Sequence, residues 1–505
     1  MSNVDALSII EKIQEGENSE IEFKESLDEL PKSFWETYSS FANTSGGYIL
    51  LGVSEKMTKI IGVKNPEKIK DMLFKTANNK SKASHNILDN EDVIEHEIEG
   101  KIIIEVHVKE LPFSQKPLYL NNNPLNAYVR KNEADCKITM EDYRRFVRNS
   151  EDNSDAELLD NYTLEDLNAD SVLALKNIIS LREPEHQFMT MDNLDFLTAI
   201  GVFRIDRNDG RKRKLTLAGL LFLGKLEAIT QKVHHFHLEY MDKRGSVERW
   251  RDRVSTGDIN YPDLNLFEFY RVVREKLRLT VEDKFELDEK SVRKPPSELD
   301  KALREALANM IVHADYLDPE TTVKVIVDNL YYVFQNPGIM KVSSEQFFTG
   351  GYSFPRNNTL IQYFRRIGES ERAGTGGKEI LNVMSQNRYR LPDLITDYRS
   401  TTLKLWTAIP SETYEDLSVY SKAVLQCFNN DRMYFARSDI KNATKLSDHY
   451  VRKAIDELIS RKLIKSKGKG RAIRYYRTPS MVEAFDIANQ FADHLRTISS
   501  KVRKS

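Results

Sequence analysis

Apolar and polar positions follow two different periods along this chain, and each change of period marks a change of element. Glu20-Ile-Glu-Phe-Lys24 alternates strictly, which predicts a strand with Glu20, Glu22 and Lys24 on one face and Ile21 and Phe23 on the other. Ser33 to Thr44 moves to helical spacing, and Tyr48 to Val53, after the Gly46-Gly47 turn, predicts a short buried strand. Ile102 to Val108 and Ala127 to Arg130 predict further strands, and Thr139 to Val147 a closing helix. Residues 1–149 thus read as a mixed α/β module.

The acidic stretch after Ser150 (SEDNSDAELLDNYTLED, 150–166) interrupts both periods and reads as a linker. Residues 163–290 then hold two helical patterns, a basic turn from Arg204 to Lys214 and an apolar strand or helix; within them, 169–226 is a candidate winged helix with that turn as its wing. Glu282 to Pro296, rich in charge and ending in Pro-Pro, gives a second boundary. Residues 297–410 read as a helix, a hairpin, a glycine-rich loop and strands, 415–477 as a small helical domain with a terminal β-ribbon, and 478–505 as a basic-ended helix. The expected class is an α/β (α+β) multidomain protein.

Composition narrows this only in part. With 505 residues, 40% apolar and 10% aromatic, the chain can build several cores. No apolar run reaches the roughly 18 residues that span a bilayer; the longest obvious one is Leu215 to Gly224. Met1 to Ile10 lacks the pattern of a secretory signal. Cys136 and Cys427 lie too far apart in sequence for a disulfide scaffold or a cysteine zinc site. A cytoplasmic protein without membrane contact is expected. The net charge of -2 hides segregation, because Arg461 to Arg477 carries eight lysines and arginines and no acid.

Three places carry candidate chemistry. On the helix expected from the capping box Ser297-Glu-Leu-Asp300, Leu303, Leu307, Met310 and Ile311 share one face, while Glu305, Asn309 and His313 stack at i+4 steps on the other. Such a triplet also suits a plain solvated face. Beyond it come a hairpin signal at Asp328-Asn329, then Asn336-Pro337-Gly338, Gly350-Gly351, Pro355-Arg356-Asn357 and Gly374-Thr-Gly-Gly377. Glycines let backbone amides approach phosphates, and a carboxylate one turn from an amide can hold Mg²⁺ and orient a water. The glycine run is no Walker loop, since Lys378 is followed by Glu379.

At the N-terminus, Glu17, Glu22 and Glu55 beside Lys24 could hold Mg²⁺ or Mn²⁺ on a phosphodiester, or Glu20, Glu22 and Lys24 could be the solvated face of an edge strand. At the C-terminus, Ser438 to Ala443 and Ser447 to Arg461 read as helix-turn-helix. Val451, Ala454, Ile455 and Leu458 form the buried stripe, and Arg452 and Lys453 are available to a groove. Lys467, Lys469 and Arg471 sit on a Gly-Lys wing tip suited to phosphates, while Asp448, Asp456 and Glu457 suit a packing domain instead. His235 and His237 would share a strand face, but no third ligand is in register.

The segment 300–410 resembles the GHKL ATPases in the variant found in RecG-like, Schlafen-type bacterial regulators. That resemblance implies that Glu305 activates water, Asn309 ligates Mg²⁺, Asn336 and Gly338 sit at the adenine box, and Gly374 and Gly376 lie beside the triphosphate of ATP. Asn336 stands where the family carries aspartate, and Ala314 where many relatives carry arginine. Residues 15–149 resemble the Schlafen AlbA-type (divergent AAA) module through Glu17, Glu22-Phe-Lys24, Phe41-Ala-Asn-Thr-Ser-Gly-Gly47 and Ile49-Leu-Leu-Gly-Val53. In Schlafen nucleases three acids and a lysine cut tRNA or related RNA; here they correspond to Glu17, Glu22, Glu55 and Lys24. The C-terminal pattern resembles the winged helices that end these regulators. Together the resemblances imply a homo-oligomeric, ATP-responsive regulator that meets DNA or RNA, a nucleotide-gated nuclease acting in phage defence, or an ATP-controlled assembly protein.

Overall fold

The computed structural model describes every residue except 1–8, 11, 55–58, 152, 246–248, 283–297, 321, 371–373, 398, 415, 429–433, 469, 478–481 and 488–505, and the side chain of Arg471. It divides into two compact units, residues 1–152 with 397–399, and residues 153–396 with 400–505.

The first unit is built on a four-stranded sheet in the order β1-β2-β6-β5, where β1 is Ile21–Lys24, β2 Gly47–Leu51, β5 Val93–Ile98 and β6 Lys101–Val108. β1 runs parallel to β2, and the other neighbours are antiparallel. A short ribbon, β3 (Val53–Ser54) with β4 (Lys59–Ile60), follows β2. Helix α1 (Ser33–Asn43) lays Phe34, Tyr38 and Phe41 against Ile49, Leu51, Ile104 and Val106 on one face of the sheet. Ile9 and Ile13 cover Ile21, Phe23 and Leu50 on the other. A sheet covered on both faces buries both side-chain sets of a strand. For that reason all four residues of β1 are buried, including Glu22 and Lys24, although β1 is an edge strand. The unit is completed by α2 (Pro66–Ala77), which Asn65 caps through the Lys68 amide, by the hairpin β7 (Tyr128–Lys131) and β8 (Ala134–Lys137), and by α3 (Met140–Ser150) with a Thr139–Asp142 capping box.

The stretch Phe41 to Gly47 has a packing role that its composition hid. Asn43 donates to the carbonyls of Leu118 and Tyr128, each at 3.0 Å, and accepts from the Leu118 amide at 2.7 Å, so one buried amide ties α1 to the hairpin. A Cβ on Gly47 would sit 2.8 Å from both the Glu20 carbonyl oxygen and the Phe41 ring.

The second unit holds a six-stranded sheet in the order β13-β12-β14-β15-β17-β16. Its strands are β12 (Leu238–Asp242), β13 (Asp252–Ser255), β14 (Val323–Val327), β15 (Tyr331–Pro337), β16 (Asp393–Thr396) and β17 (Ser400–Trp406). β12 pairs parallel to β14 and every other neighbour is antiparallel. The sheet therefore crosses the cut expected at 282–296. Turn signals mark chain reversals, whereas pairing is decided by register between apolar strands far apart in sequence. Over one face run α8 (Leu266–Glu282), α9 (Glu298–His313), α11 (Asn358–Arg366) and α12 (Gly376–Gln386), with the short α10 (Ser344–Thr349) beside α12. One continuous core joins residues from Leu159 to Leu405.

Residues 153–232 supply β9 (Leu158–Leu159), α4 (Ala169–Arg182), α5 (Asn193–Ala199), β10 (Phe203–Ile205), β11 (Arg213–Thr216), α6 (Leu217–Leu223) and α7 (Leu226–Lys232). The apolar run after Leu215 is thus a strand end that turns into a buried helix. Last come α13 (Val419–Cys427), α14 (Arg437–Thr444), α15 (Asp448–Ser460) and the ribbon β18 (Lys465–Lys467) with β19 (Arg474–Tyr476). They have their own core of Val424, Leu425, Ile440, Val451, Ile455 and Leu458. Phe435 exchanges backbone hydrogen bonds with Tyr475 and adds a bridge to the ribbon. The only described helix after Arg477 is 482–487.

Candidate functional site

Helix α9 is buried on nearly all sides, so its half-buried polar positions stand out. Glu305, Asn309 and His313 do not decorate a solvated face; they line a cavity open on one side to solvent. The wall across from them comes from the sheet, through Phe334 and Asn336 of β15 and Thr401 and Leu403 of β17, and from Gly374, Gly376 and Gly377 at the start of α12. Lys341, Tyr352 and Phe354 from the intervening loops complete the lining. The structure thus brings Glu305, Asn309, Asn336, Gly374 and Gly376 to one place.

The helix wall is tightly set. Asn309 Nδ2 donates to Glu305 Oε1 at 3.1 Å, and a Cβ on Gly376 would lie 2.0 Å from that same oxygen. Gly376 opens α12, so the carboxylate stands against a helix N-terminus, where the backbone dipole favours negative charge. Gly374 has a φ of +60°, and a Cβ there would meet the Tyr352 carbonyl oxygen at 2.3 Å. On the sheet wall, Asn336 Nδ2 donates to the Pro337 carbonyl at 3.0 Å, which leaves its Oδ1 as an acceptor beside the cavity. Thr401 donates to the Gly338 carbonyl at 2.9 Å and meets the Thr396 hydroxyl at 3.1 Å.

Two groups of expected residues have other work. Gly338, with a φ of +95°, packs behind the cavity, where a Cβ would meet Arg356 Nη2 at 2.9 Å. Arg356 and Asn357 close the end of α9. The Arg356 guanidinium donates to the carbonyls of His313 and Ile339, and the Asn357 amide to those of Val312 and Ala314. These donors satisfy carbonyls that a helix C-terminus leaves open. Ser297, the expected cap at the other end of α9, lies outside the described residues.

Burial pushes His313 down to about 4, helped by the nearby charges of Arg356 and Lys341. A histidine whose folded value lies below its unfolded one contributes stability above about pH 6.5 and loses it as pH falls toward 4. The second unit is therefore expected to lose thermal stability between pH 6.5 and 4. His313→Gln should flatten that slope in melts of the full chain across the range; an unchanged slope would place the acid sensitivity elsewhere.

At the N-terminus, Glu17 and Glu22 lie among the described residues and each has its own partners. Glu22 is ion-paired with Lys24 through one oxygen and accepts from Arg130 Nη2 at 2.7 Å through the other. Arg130 also donates to Asp135 at 2.9 Å and lies over the Phe41 ring. Glu17 accepts from the Phe23 amide at 2.9 Å. Glu55 lies outside the described residues, and among these no group of three His, Cys, Asp or Glu side chains could hold a metal. The solvated-face expectation also gives way, since only Glu20 of its three residues is exposed.

The remaining candidates separate clearly. Lys214, at the end of the 204–214 turn, is bound by Asp160, Asp206 and Asp209, and Arg213 by Asp195, so acids hold the base of that hairpin, while Arg207 and Arg211 are exposed at its tip. His234 and His235 lie in an exposed turn and His237 just before β12, so no strand face joins them. Cys427 packs in the C-terminal core, and Cys136 lies in β8, opposite Val129. Arg452 and Lys453 are exposed on α15 and Lys467 on β18; Lys469 and the Arg471 side chain lie outside the described residues. Lys341 and Thr401 join the site without having been expected in it. The alternation that places Thr401 on the same face of β17 as Leu403 and Leu405 was the available signal.

A helix-backed sheet carrying a cavity with an acid, an amide and a glycine-started helix defines an ATPase-like α/β class. Family models match accordingly. Residues 17–139 match "Schlafen, AlbA_2", and residues 320–405 match "Putative ATP-dependent DNA helicase recG C-terminal". The chain thus carries a Schlafen AlbA_2 domain at its N-terminus and a RecG C-terminal ATPase-like domain, in a mixed α/β multidomain architecture. Asn336, Gly338, Gly374 and Gly376 fall inside the second match, and Glu305 and Asn309 just before it. Residues 144–239 match a domain of unknown function. Among solved structures, the DIP2311 protein from Corynebacterium diphtheriae is 15% identical, with a TM-score of 0.37, over 94% of this chain and 99% of that one. The N-terminal domain of a "Putative ATP-dependent DNA Helicase RecG-related Protein" from Nitrosomonas europaea is 23% identical, with a TM-score of 0.20, over 27% of this chain and 94% of that one. No curated protein matches. Among the described residues no helix is long and apolar enough to cross a membrane.

Proposed function

We propose that this chain is an ATP-binding, nucleic-acid-interacting regulator whose nucleotide site is the cavity between α9, the sheet and α12. The observation that carries the reading is the meeting of Glu305, Asn309, Asn336, Gly374 and Gly376, from three separated stretches, in one cavity. The donor set fits Mg-ATP. Asn309 offers a hard oxygen to Mg²⁺, and the amides at the start of α12 suit phosphate oxygens. Asn336, which gives one amide proton to Pro337, keeps its oxygen, which would accept from the adenine amine. When bound, Mg²⁺ supplies charge neutralisation at the phosphates. Glu305 would hold a water and take its proton, and the apolar walls of Phe334, Met310 and Leu403 would keep bulk water out.

Calorimetry on the full chain tests this directly. Asn309→Ala is expected to weaken Mg-ATP binding at least tenfold, whereas Glu305→Ala keeps binding and loses turnover. A wild-type protein that binds no ATP would end the proposal.

The nucleic-acid half of the reading draws support from both family descriptions and from the C-terminal helices and ribbon, whose order is that of a winged helix. The pairing of Glu22 with Lys24 and Arg130 weighs toward this regulator and away from a metal-dependent nuclease at the N-terminal acids.

A further inference from the structure

The C-terminal helices present a surface of unusual chemistry for reading a duplex. Fifteen lysines and arginines stand against five acids between Leu417 and Arg477, in a chain whose net charge is -2. Such a segment complements phosphate. A helix that reads base edges in the major groove does so most often with arginine, lysine, asparagine or glutamine. The first turn of α15 offers Asp448, His449 and Tyr450 instead. Asp448 also holds Arg452 at 3.6 Å and Arg437 at 3.4 Å, so the expected base-reading arginine is already engaged.

What the surface does offer is aromatic. Tyr420, in the first turn of α13, and Tyr450, in the first turn of α15, stack with ring centroids 4.1 Å apart and planes within 19°. They remain 37% and 39% exposed, and Val419 beside them is 80% exposed. The His449 ring stands edge-on to Tyr450 at 5.4 Å. Two solvated, parallel tyrosines on a basic domain are the elements of a stacking platform, on which unpaired bases lie while cations follow the backbone.

We infer that this surface holds an unpaired stretch of nucleic acid, its bases stacking on the Tyr420–Tyr450 pair and its phosphates meeting the neighbouring lysines and arginines. The inference rests on the nucleic-acid reading above and names its substrate class. An acidic protein partner would meet the same charge, but its side chains do not use a flat ring pair as bases do.

Fluorescence anisotropy with the full chain tests it, using oligothymidine and oligouridine of about 16 nucleotides, near the upper site size of single-strand modules, and a duplex of equal length. Both single strands should bind at least tenfold more tightly than the duplex; the ratio between the two shows whether DNA or RNA is preferred. Tyr420→Leu with Tyr450→Leu keeps apolar volume and should lower single-strand affinity about 5- to 100-fold, without changing the salt slope, because stacking releases no counterions. Tyr420→Phe with Tyr450→Phe should restore it. Duplex binding as tight as single-strand binding, or a leucine pair that binds like wild type, overturns the inference and leaves the broader reading standing. If no form of nucleic acid binds, the broader reading falls as well.

Discussion

Gly376→Ala is expected to leave the protein folded and to weaken Mg-ATP binding by at least tenfold. The new Cβ would lie 2.0 Å from Glu305 Oε1 and 2.7 Å from its Cγ, and a glutamate side chain can swing away at little cost. In doing so it gives up the 3.1 Å hydrogen bond from Asn309, and the added methyl group crowds the α12 amides that would meet phosphate, which Glu305→Ala does not. Gly377→Ala is the control one residue on. Its Cβ would meet the Phe347 carbonyl oxygen at 2.2 Å, and backbone does not swing away. That variant should lose roughly 1–3 kcal/mol of stability, as overpacked sites do. Calorimetry and thermal melts on the pair separate the two effects. Equal melting temperatures for both variants, or unchanged binding in Gly376→Ala, would contradict this account of the α12 start.

The second large effect is expected from Arg130→Ala in the first unit. Arg130 is buried and donates to Glu22 at 2.7 Å, Asp135 at 2.9 Å and the Asn18 carbonyl at 2.8 Å. Its removal leaves Glu22, itself 8% exposed, with Lys24 alone. Breaking a buried ion pair from one side costs about 3–5 kcal/mol, because a desolvated charge loses its compensation. Denaturant titration of the full chain should show an early transition for this variant. Glu22→Gln combined with Arg130→Met, which removes both charges, should recover much of the loss. If the double variant is no better than Arg130→Ala, the network acts through shape rather than charge.

The same network shows what the sequence could and could not disclose. The strand at Glu20 to Lys24 was legible from its alternation, and the helices at Ser33 and Met140 from spacing and capping. The partner of Glu22 was not, because Arg130 lies 108 residues away and no local pattern connects them. Much the same holds for the cavity. The i+4 triplet and the glycines pointed to it, since each is a local feature. Thr401 and Lys341 reach it only through the β15–β17 register and a loop return. Arg356 and Asn357 looked like part of a phosphate loop because their neighbours are Gly- and Pro-rich. Only the positions of the α9 carbonyls show that they cap a helix.

The parallel pairing of β12 with β14 also has a consequence for the ribosome. β14 begins 81 residues after Asp242 ends β12 (323 minus 242), and at about 5–20 residues per second it emerges roughly 4–16 s later. During that interval β12, whose Leu238 and Tyr240 end fully covered, has only β13 as a strand partner. Slow codons between 243 and 322 would lengthen this exposure of an unpaired edge, whereas slow codons after Trp406, once β17 has closed the sheet, would not. The order in which this chain is made therefore sets when its central sheet is most open to misassociation.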